Sequence, residues 1–407
     1  MSQTLITARR ILLDPDRPQA QDGAVLVEGD TIVAAGARED VLPHAEPDCQ
    51  TLDLPDGATV LPGLIDSHVH LAFDAGPEPV TTLTGSDDAT LLLGMAGRAR
   101  HLLDAGITTA RDLGDRGGLA VRLREAIAAG TVAGPRILAA TAPLTASKGH
   151  CWFLGGEAEG EQEIRARVRS NAENGADVIK VMVTGGGLTP GGPPIWQLQF
   201  TPQDIAAAVD EAHLLGLPVA AHAHGVQGIA AAVAAGVDTI EHCSWLTEDG
   251  SCDLREDLLA DIIARGISVC PANHPNWRLF ADRVGPKKAA ELFAPLRQMA
   301  EQGVHLVAGT DAGVPRAGFG GLVSSLEFFE HIDVPRDRII AMATTNAARA
   351  LGLDGQTGRL APGYRADVLV VDGNPLDTLD ALRTVRIVLA AGRPHIPHQR
   401  ALRTAAH

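Results

Sequence analysis

The sequence is short of positive charge, and this shortage limits the partners that the protein can have. Its 407 residues include 34 lysines and arginines against 50 aspartates and glutamates, which gives a formal net charge of −16. A protein whose main partner is nucleic acid or an anionic membrane needs a basic surface that neutralises phosphate groups. We therefore predict neither partner and expect a small molecule as the ligand.

The sequence also lacks long apolar runs and closely spaced cysteines. A helix that crosses a bilayer needs about 20 consecutive apolar residues, and no such run occurs. The first four residues lead into a strand-like segment without the basic and apolar regions of an export signal. The five cysteines show no CxxC spacing, which favours free thiols over disulfides. These features predict a folded, cytoplasmic protein.

Lysine is rare, and one lysine stands in an unusual place. Only four of the 34 basic residues are lysines, and Lys180 lies inside the apolar run 178–183. Burying an unpaired ammonium group is costly. One interpretation is a side chain that extends its amine to the rim of the fold. The other is an amine whose pKa is lowered by its apolar surroundings, so that it is neutral and nucleophilic.

The middle of the chain alternates short β-rich runs with longer segments of helical period. Several of the helical segments end in glycine just before the next strand, as repeated βα units do. Eight such units favour a (β/α)8 TIM-type barrel, an α/β fold, over a doubly wound sheet. The predicted strands are residues 59–66, 107–113, 135–142, 177–185, 218–223, 239–243, 268–274 and 305–313.

Both ends of the chain have a different character, with short alternating strands separated by turns. We predict a small β-sandwich domain that is assembled from residues 1–58 plus 359–407 and flanks a barrel domain of residues 59–358. The alternative is two independent β caps, one at each end.

Histidines occur in pairs where two of the predicted strands end. His68 and His70 close the first strand, and His222 and His224 close the fifth. Because residues i and i+2 of a strand face the same side, the two rings of each pair point into the same space. Two rings so placed can bind one metal ion. Paired histidines on protein surfaces are common, so neither pair is decisive alone.

Three further residues stand at the ends of other strands. Lys180 lies near the end of the fourth strand, and His242 and Asp311 end the sixth and the eighth. The catalytic residues of (β/α)8 barrels gather at the C-terminal ends of the strands. The combined set therefore predicts a metal centre on that face of the barrel.

The motifs around these residues resemble those of the amidohydrolase superfamily, in its imidazolonepropionase-like and Xaa-Pro-dipeptidase-like branch. The resemblance runs from about residue 5 to about residue 393. It rests on LPGLIDSHVH at 61–70, TTARD at 108–112, DVIK at 177–180, AHAHG at 221–225, IEH at 240–242, GTD at 309–311, and two late motifs at 344–352 and 358–367.

The resemblance implies a centre with one or two divalent metals, with zinc as the expected ion. It assigns one metal to His68, His70 and Asp311, and the other to His222 and His242. A carbamate formed from Lys180 and carbon dioxide would bridge both metals. The resemblance also implies a homo-oligomer.

Coordination to such a metal lowers the pKa of water to about 7, which makes hydroxide available at neutral pH. Asp311 is then the expected catalytic residue, which accepts the proton of the attacking water and passes it to the leaving amine. We predict a hydrolase that cleaves an amide bond, preferably in a dipeptide or N-acyl amino acid. Ring opening of a cyclic amide or imidazolone, hydrolysis of a carbamate or lactone, a lyase or isomerase, and a non-catalytic scaffold are the alternatives.

Three residues are candidates for substrate contacts. His150 follows the third strand, and the resemblance suggests that it polarises a carbonyl or meets a carboxylate. His224 is expected to face the substrate or support a ligand. Arg111 could bind a substrate carboxylate, or could instead pair with Asp112 or Asp115. The glycine- and proline-rich segment 185–194 is either a lid or a plain surface connection.

Overall fold

The computed structural model describes residues 3–15 and 20–398, and it is an α/β fold. The parts of the predicted small domain at 1–2, 16–19 and 399–407 lie outside the described residues. The strands are β1 (Gln3–Ile11), β2 (Ala20–Glu28), β3 (Thr31–Ala37), β4 (Gln50–Asp53), β5 (Ala58–Pro62), β6 (Leu64–Val69), β7 (Ile107–Asp112), β8 (Arg136–Ala139), β9 (Ile179–Met182), β10 (Val219–Gly225), β11 (Thr239–Leu246), β12 (Ser268–Cys270), β13 (Val368–Asp372), β14 (Val385–Ala390) and β15 (Arg393–His395).

Helices follow most of the central strands, as the alternation in the sequence predicts. They are α1 (Arg38–Val41), α2 (Pro79–Gly85), α3 (Asp88–Asp104), α4 (Leu119–Ala128), α5 (Gly160–Glu173), α6 (Pro202–Leu214), α7 (Val226–Ala235), α8 (Glu256–Arg265), α9 (Trp277–Val284), α10 (Pro286–Glu301), α11 (Leu322–His331), α12 (Arg336–Met342) and α13 (Thr345–Ala350). None of the helices in the described ranges is both long and apolar enough to cross a bilayer.

The ends of several helices follow from local sequence. Thr201 caps α6: its side chain accepts a hydrogen bond from the backbone of Asp204, whose side chain accepts one in return, and Pro202 occupies the first turn. Gly236 and Gly266 end α7 and α8 in the left-handed conformation. The glycine ends of these two helices confirm the sequence prediction.

The parallel strands form two sheets, β6–β7–β8 and β9–β10–β11–β12. Isolated parallel bridges extend both: Leu144 pairs with Val181, Val269 with Leu306, and Val69 with Ala312. The eighth predicted strand, 305–313, is therefore an irregular segment that makes bridges to β12 and β6. Aliphatic side chains of both sheets pack with the helices in one large buried core.

Strands from both ends of the chain join in one eight-stranded sheet, in which β13 and β1 flank β5. The first predicted barrel strand, 59–66, is thus two strands: β5 belongs to this end sheet and β6 to the three-stranded parallel sheet. The chain passes between the sheets at Gly63, where a Cβ atom would lie only 2.1 Å from the Thr108 hydroxyl. This close approach requires glycine and explains the break in the strand.

All five cysteines are free thiols, as their spacing predicts.

Candidate metal centre

Two histidines and an aspartate meet where β6 and the eighth segment end. Asp311 Oδ1 lies 3.4 Å from His68 Nε2 and 3.3 Å from His70 Nε2. The backbone N–H of Asp311 donates to the carbonyl oxygen of His68, which fixes the segment beside β6. The ligand atoms of the three side chains lie within 4.8 Å of one another, a spacing that one metal ion could span. The structure therefore brings together the three residues that the sequence analysis assigned to one metal ion, and their role as ligands stays a prediction.

A second group consists of His222, His224 and His242, whose ring nitrogens also lie within 4.8 Å of one another. The rings of His224 and His242 are stacked, with centroids 4.3 Å apart and planes at 14°. The centroid of His242 also lies 5.1 Å from that of His68, so the two groups form one continuous centre. His224, which the sequence analysis expected to face the substrate or support a ligand, is itself a member of this group of potential ligands. Its Nδ1 lies 2.9 Å from the Ser244 hydroxyl.

Lys180 is fully buried beside this centre. In the register of β9 and β10 it lies opposite Ala220, so its side chain and that of His222 point to the same side of the sheet. The Nζ atom has no hydrogen-bond partner in the described part of the chain. Burial is the largest cause that lowers the amine pKa, to about 8, and Arg111 lowers it further while the nearby Glu241 opposes the shift. The described residues therefore leave this amine unsatisfied, and its lowered pKa makes the neutral form accessible near neutral pH.

The acidity of Asp311 reflects two opposing effects. Burial alone would raise the pKa of this carboxyl, but the neighbouring His68 and His70 rings bring it below its ordinary value. Asp311 is therefore ionised at neutral pH. Its side chain is 21% exposed whereas that of His68 is 1% exposed, so the carboxylate is the member of this group most open to solvent.

Glu241 is a member of the site that the sequence analysis overlooked. His68 donates from Nδ1 to Glu241 Oε2 at 2.8 Å, and Arg111 donates to Oε1 at 2.7 Å. Burial alone would raise the pKa of Glu241, but Arg111 and His68 bring it well below the ordinary range. With Glu241 ionised, the proton of a neutral His68 ring lies on Nδ1, and the lone pair of Nε2 faces the centre. The available signal was an acidic residue inside a predicted strand, directly before His242.

Arg111 corrects a sequence prediction. Its guanidinium donates to Glu241, to the carbonyl oxygen of Ser67 at 2.8 Å and to the Thr239 hydroxyl at 3.1 Å. The expected pair with Asp112 or Asp115 is wrong. The expected contact with a substrate carboxylate is also wrong, because the guanidinium is buried and its nitrogens are engaged inside the protein.

Asp66 ties β6 to the eighth segment. Its carboxylate accepts hydrogen bonds from the backbone and hydroxyl groups of Thr310 at 3.1 and 2.7 Å, and from the backbone of His68 at 3.3 Å. Burial raises the pKa of this carboxyl to about 7. Asp66 therefore holds together the two chain segments that carry the first group of potential ligands.

His150 lies at the edge of the second group. Its ring centroid is 4.8 Å from that of His222, and its Nδ1 is 3.1 Å from the Thr189 hydroxyl. Burial lowers the pKa of His150 to about 4, so the ring is neutral at neutral pH. The segment 185–194, for which a lid and a plain surface connection are the two interpretations, includes Thr189, which is buried and contacts His150.

Comparison with known proteins supplies independent information. A model of the Amidohydrolase family matches residues 59–394. Ochratoxinase from Aspergillus niger is 28% identical over 422 aligned positions, which cover 93% of this chain and 83% of that protein. Imidazolonepropionase from Mesorhizobium japonicum is 25% identical and covers 86% of this chain and 87% of its own length. A crystal structure of a Xaa-Pro dipeptidase with methionine in its active site has a TM-score of 0.84 at 29% identity, over 97% of this chain and 100% of that chain.

Proposed function

We propose a function from one premise: the chain belongs to the amidohydrolase family, in the imidazolonepropionase-like and Xaa-Pro-dipeptidase-like branch that the motifs predict. The proposed function is cleavage of an amide bond in a dipeptide or N-acyl amino acid with the help of bound metal. Membership makes it an enzyme, a hydrolase of amide or other C–N bonds. The dipeptide preference draws on the similar Xaa-Pro dipeptidase, whose whole length is covered by 97% of this chain.

One observation carries the proposal. Two adjacent groups of potential metal ligands, each with three members, stand beside a buried lysine whose amine has no partner in the described residues. A protein that kept this barrel only as a scaffold would have no reason to maintain an amine so costly to bury. The non-catalytic alternative is disfavoured on this ground.

The chemistry of the donors suits zinc. We propose that His68, His70 and Asp311 hold one divalent ion and that His222 and His242 hold a second. The nitrogen of Lys180 would bond to the carbon of carbon dioxide and release a proton, and the resulting carbamate oxygens would contact both ions. When bound, the ions supply an acidified water and polarise the scissile carbonyl group. Imidazole and carboxylate ligands are those that zinc sites use.

The residues of the chain would then handle the protons. Asp311, ionised and partly exposed, accepts the proton of the attacking water and delivers it to the nitrogen of the leaving group. Glu241 keeps the proton of His68 on Nδ1, so that Nε2 is always available for the centre. His150 and His224 line the same space as neutral rings and can donate hydrogen bonds to oxygens of the substrate.

We also propose the finer architecture. The three isolated bridges join the parallel sheets end to end, which supports a closed (β/α)8 barrel. The shared end sheet supports one small domain built from both ends, with residues 59–358 as the barrel domain, although β5 crosses that boundary. A sandwich form of the small domain, a homo-oligomer and a cytoplasmic location stay predictions.

The test combines metal analysis with a substrate panel. Purified protein is analysed by mass spectrometry for bound metal, then assayed with zinc on dipeptides, N-acyl amino acids, an imidazolone, carbamates and lactones. We expect close to two metal ions per chain and cleavage that depends on the C-terminal residue. Metal-stripped protein is the control.

Other outcomes would redirect the proposal. Ring opening without dipeptide cleavage would overturn the substrate class but keep the centre. Product formed without incorporation of oxygen from labelled water would indicate a lyase or isomerase. Inactivity of metal-loaded protein on every class would return the scaffold interpretation.

A further inference from the structure

Two loops of the barrel meet at one hydrogen bond. His150 stands in the loop after β8, and Thr189 stands in the segment after β9; Thr189 Oγ1 lies 3.1 Å from His150 Nδ1. Both side chains are buried. The contact alone does not say which atom donates, because a neutral imidazole carries its proton on either nitrogen.

The surroundings of the threonine decide the direction of the bond. The backbone N–H of Cys151 donates to Thr189 Oγ1 at 2.8 Å and occupies one of its lone pairs. The hydroxyl also has one hydrogen to donate, and His150 Nδ1 is the sole acceptor within reach among the described residues. If Nδ1 carried the proton instead, the buried hydroxyl hydrogen would have no partner, which is energetically unfavourable. The hydroxyl therefore donates to Nδ1, and the imidazole proton lies on Nε2.

Packing keeps the ring in this arrangement. A Cβ atom at Gly186 would lie 2.4 Å from His150 Nε2, so the loop backbone approaches the ring as closely as glycine allows. On its other side the ring lies 4.8 Å from that of His222. Gln199 accepts a hydrogen bond from the His150 backbone at 2.6 Å and donates to the carbonyl oxygen of Thr184 at 2.8 Å. The contacts with Gly186 and Gln199 thus fix the position of His150 relative to the segment 185–199.

We infer that Thr189 is a positioning residue that holds the proton of His150 on Nε2 and so makes this ring a hydrogen-bond donor toward a substrate oxygen. The sulfur of Cys151, 3.6 Å from Nε2, is only a weak competitor for that proton. The kinetic consequence rests on the proposed hydrolytic function, whereas the position of the proton does not.

Nuclear magnetic resonance tests the position of the proton directly. Zinc-loaded protein labelled with ¹⁵N-histidine is measured at pH 8, and the His150 signals are assigned from their loss in His150→Gln. We expect the protonated nitrogen to be Nε2 in the parent and in Thr189→Ser. In Thr189→Val, which has the same shape without the hydroxyl, we expect both tautomers. A proton on Nδ1 in the parent, or an unchanged tautomer in Thr189→Val, would overturn the inference.

Kinetics test the consequence. Thr189→Val is expected to lower kcat/KM about tenfold, the effect of one hydrogen bond, and Thr189→Ser to recover most of the loss. The valine change should affect the same parameter, kcat or KM, as His150→Gln and add little to it in the double variant. Additive losses would mean that Thr189 does not act through His150. If no substrate is hydrolysed, the proposed function fails, but the spectra still decide where the His150 proton lies. If Thr189→Val does not fold, the spectrum of the parent protein alone decides it.

Discussion

His68 donates its Nδ1 hydrogen to the carboxylate of Glu241 at 2.8 Å, and both side chains are buried. The opposite nitrogen of the ring faces Asp311 at 3.4 Å. Glu241 in turn accepts from Arg111 at 2.7 Å. Hydrogen bonds therefore connect the buried Arg111 guanidinium, through Glu241 and His68, to the proposed metal centre. The orientation of His68 depends on Glu241, and the burial of Arg111 depends on the same carboxylate.

The first prediction concerns the hydrogen bonds that Glu241 makes with Arg111 and His68. Glu241→Gln keeps the shape but removes the anion, so an amide N–H can donate to His68 Nδ1 and move the imidazole proton to Nε2. We expect zinc affinity to fall about 10–100-fold. The metal-free protein should lose about 3–5 kcal/mol of unfolding free energy, because Arg111 is left buried without an anionic partner. Chelator competition and urea unfolding measure the two effects.

Glu330→Gln is the matched control, because Glu330 pairs with Arg336 at the surface. It should change the unfolding free energy by no more than about 1 kcal/mol and leave zinc affinity alone. Parent-like values for Glu241→Gln would show that the buried carboxylate does not orient His68.

The second prediction concerns the proton acceptor. Asp311→Asn should lower kcat about 10²–10⁴-fold while the fold and most of the bound metal are retained. Asparagine tolerates the left-handed backbone that Asp311 adopts, with φ of 56°, so strain does not confuse the result. Steady-state kinetics and metal analysis on the same sample provide the measurement.

Asp333→Asn serves as its control, since Asp333 has a similar φ of 67° and lies at the surface in a pair with Arg297. Its kcat should match the parent. Near-normal turnover in Asp311→Asn would remove Asp311 from the proposed proton transfer.

The third prediction separates function from stability at Lys180. Lys180→Met should lower metal content, because the bridging carbamate cannot form. The unfolding free energy of the metal-free protein should rise by about 1–3 kcal/mol, since a buried amine without a partner is replaced by an apolar side chain. Lys288→Met, at a half-buried surface position where the lysine pairs with Glu291, should change neither quantity. Unchanged binding of two metals by Lys180→Met would refute the bridge.

The fourth prediction is a pH dependence. Only the neutral amine reacts with carbon dioxide, and the pKa of Lys180 is about 8 in the folded protein. The neutral fraction rises from about one tenth at pH 7 to about nine tenths at pH 9. Metal-free protein mixed with zinc at fixed dissolved carbon dioxide should therefore gain activity faster as pH rises over this range. Carbamate formation would be contradicted if the rate of activation fell as pH rises, or if it did not depend on the concentration of carbon dioxide.

Much of the site follows from short-range regularities that the sequence displays. The spacing of His68 and His70 places both rings on one side of a strand, and the same holds for His222 and His224. Alternating strands and helices predict that strand ends gather on one face, which brings in His242 and Asp311. Two of the predicted strands differ from those in the structure. The apolar run 59–66 passes from one sheet to another at Gly63, and the segment 305–313 is irregular and makes only isolated bridges.

By itself, therefore, the sequence determined the order of the elements and the residues at the strand ends, because periodicity depends only on neighbours in the chain. Tertiary structure alone decided that Arg111 meets Glu241, 130 residues away, and that Thr189 meets His150, 39 residues away. These partners are set by which strands lie side by side, by their register and by how loops fold over the rim. No spacing in the chain encodes those relations, since they arise from packing between segments remote in sequence.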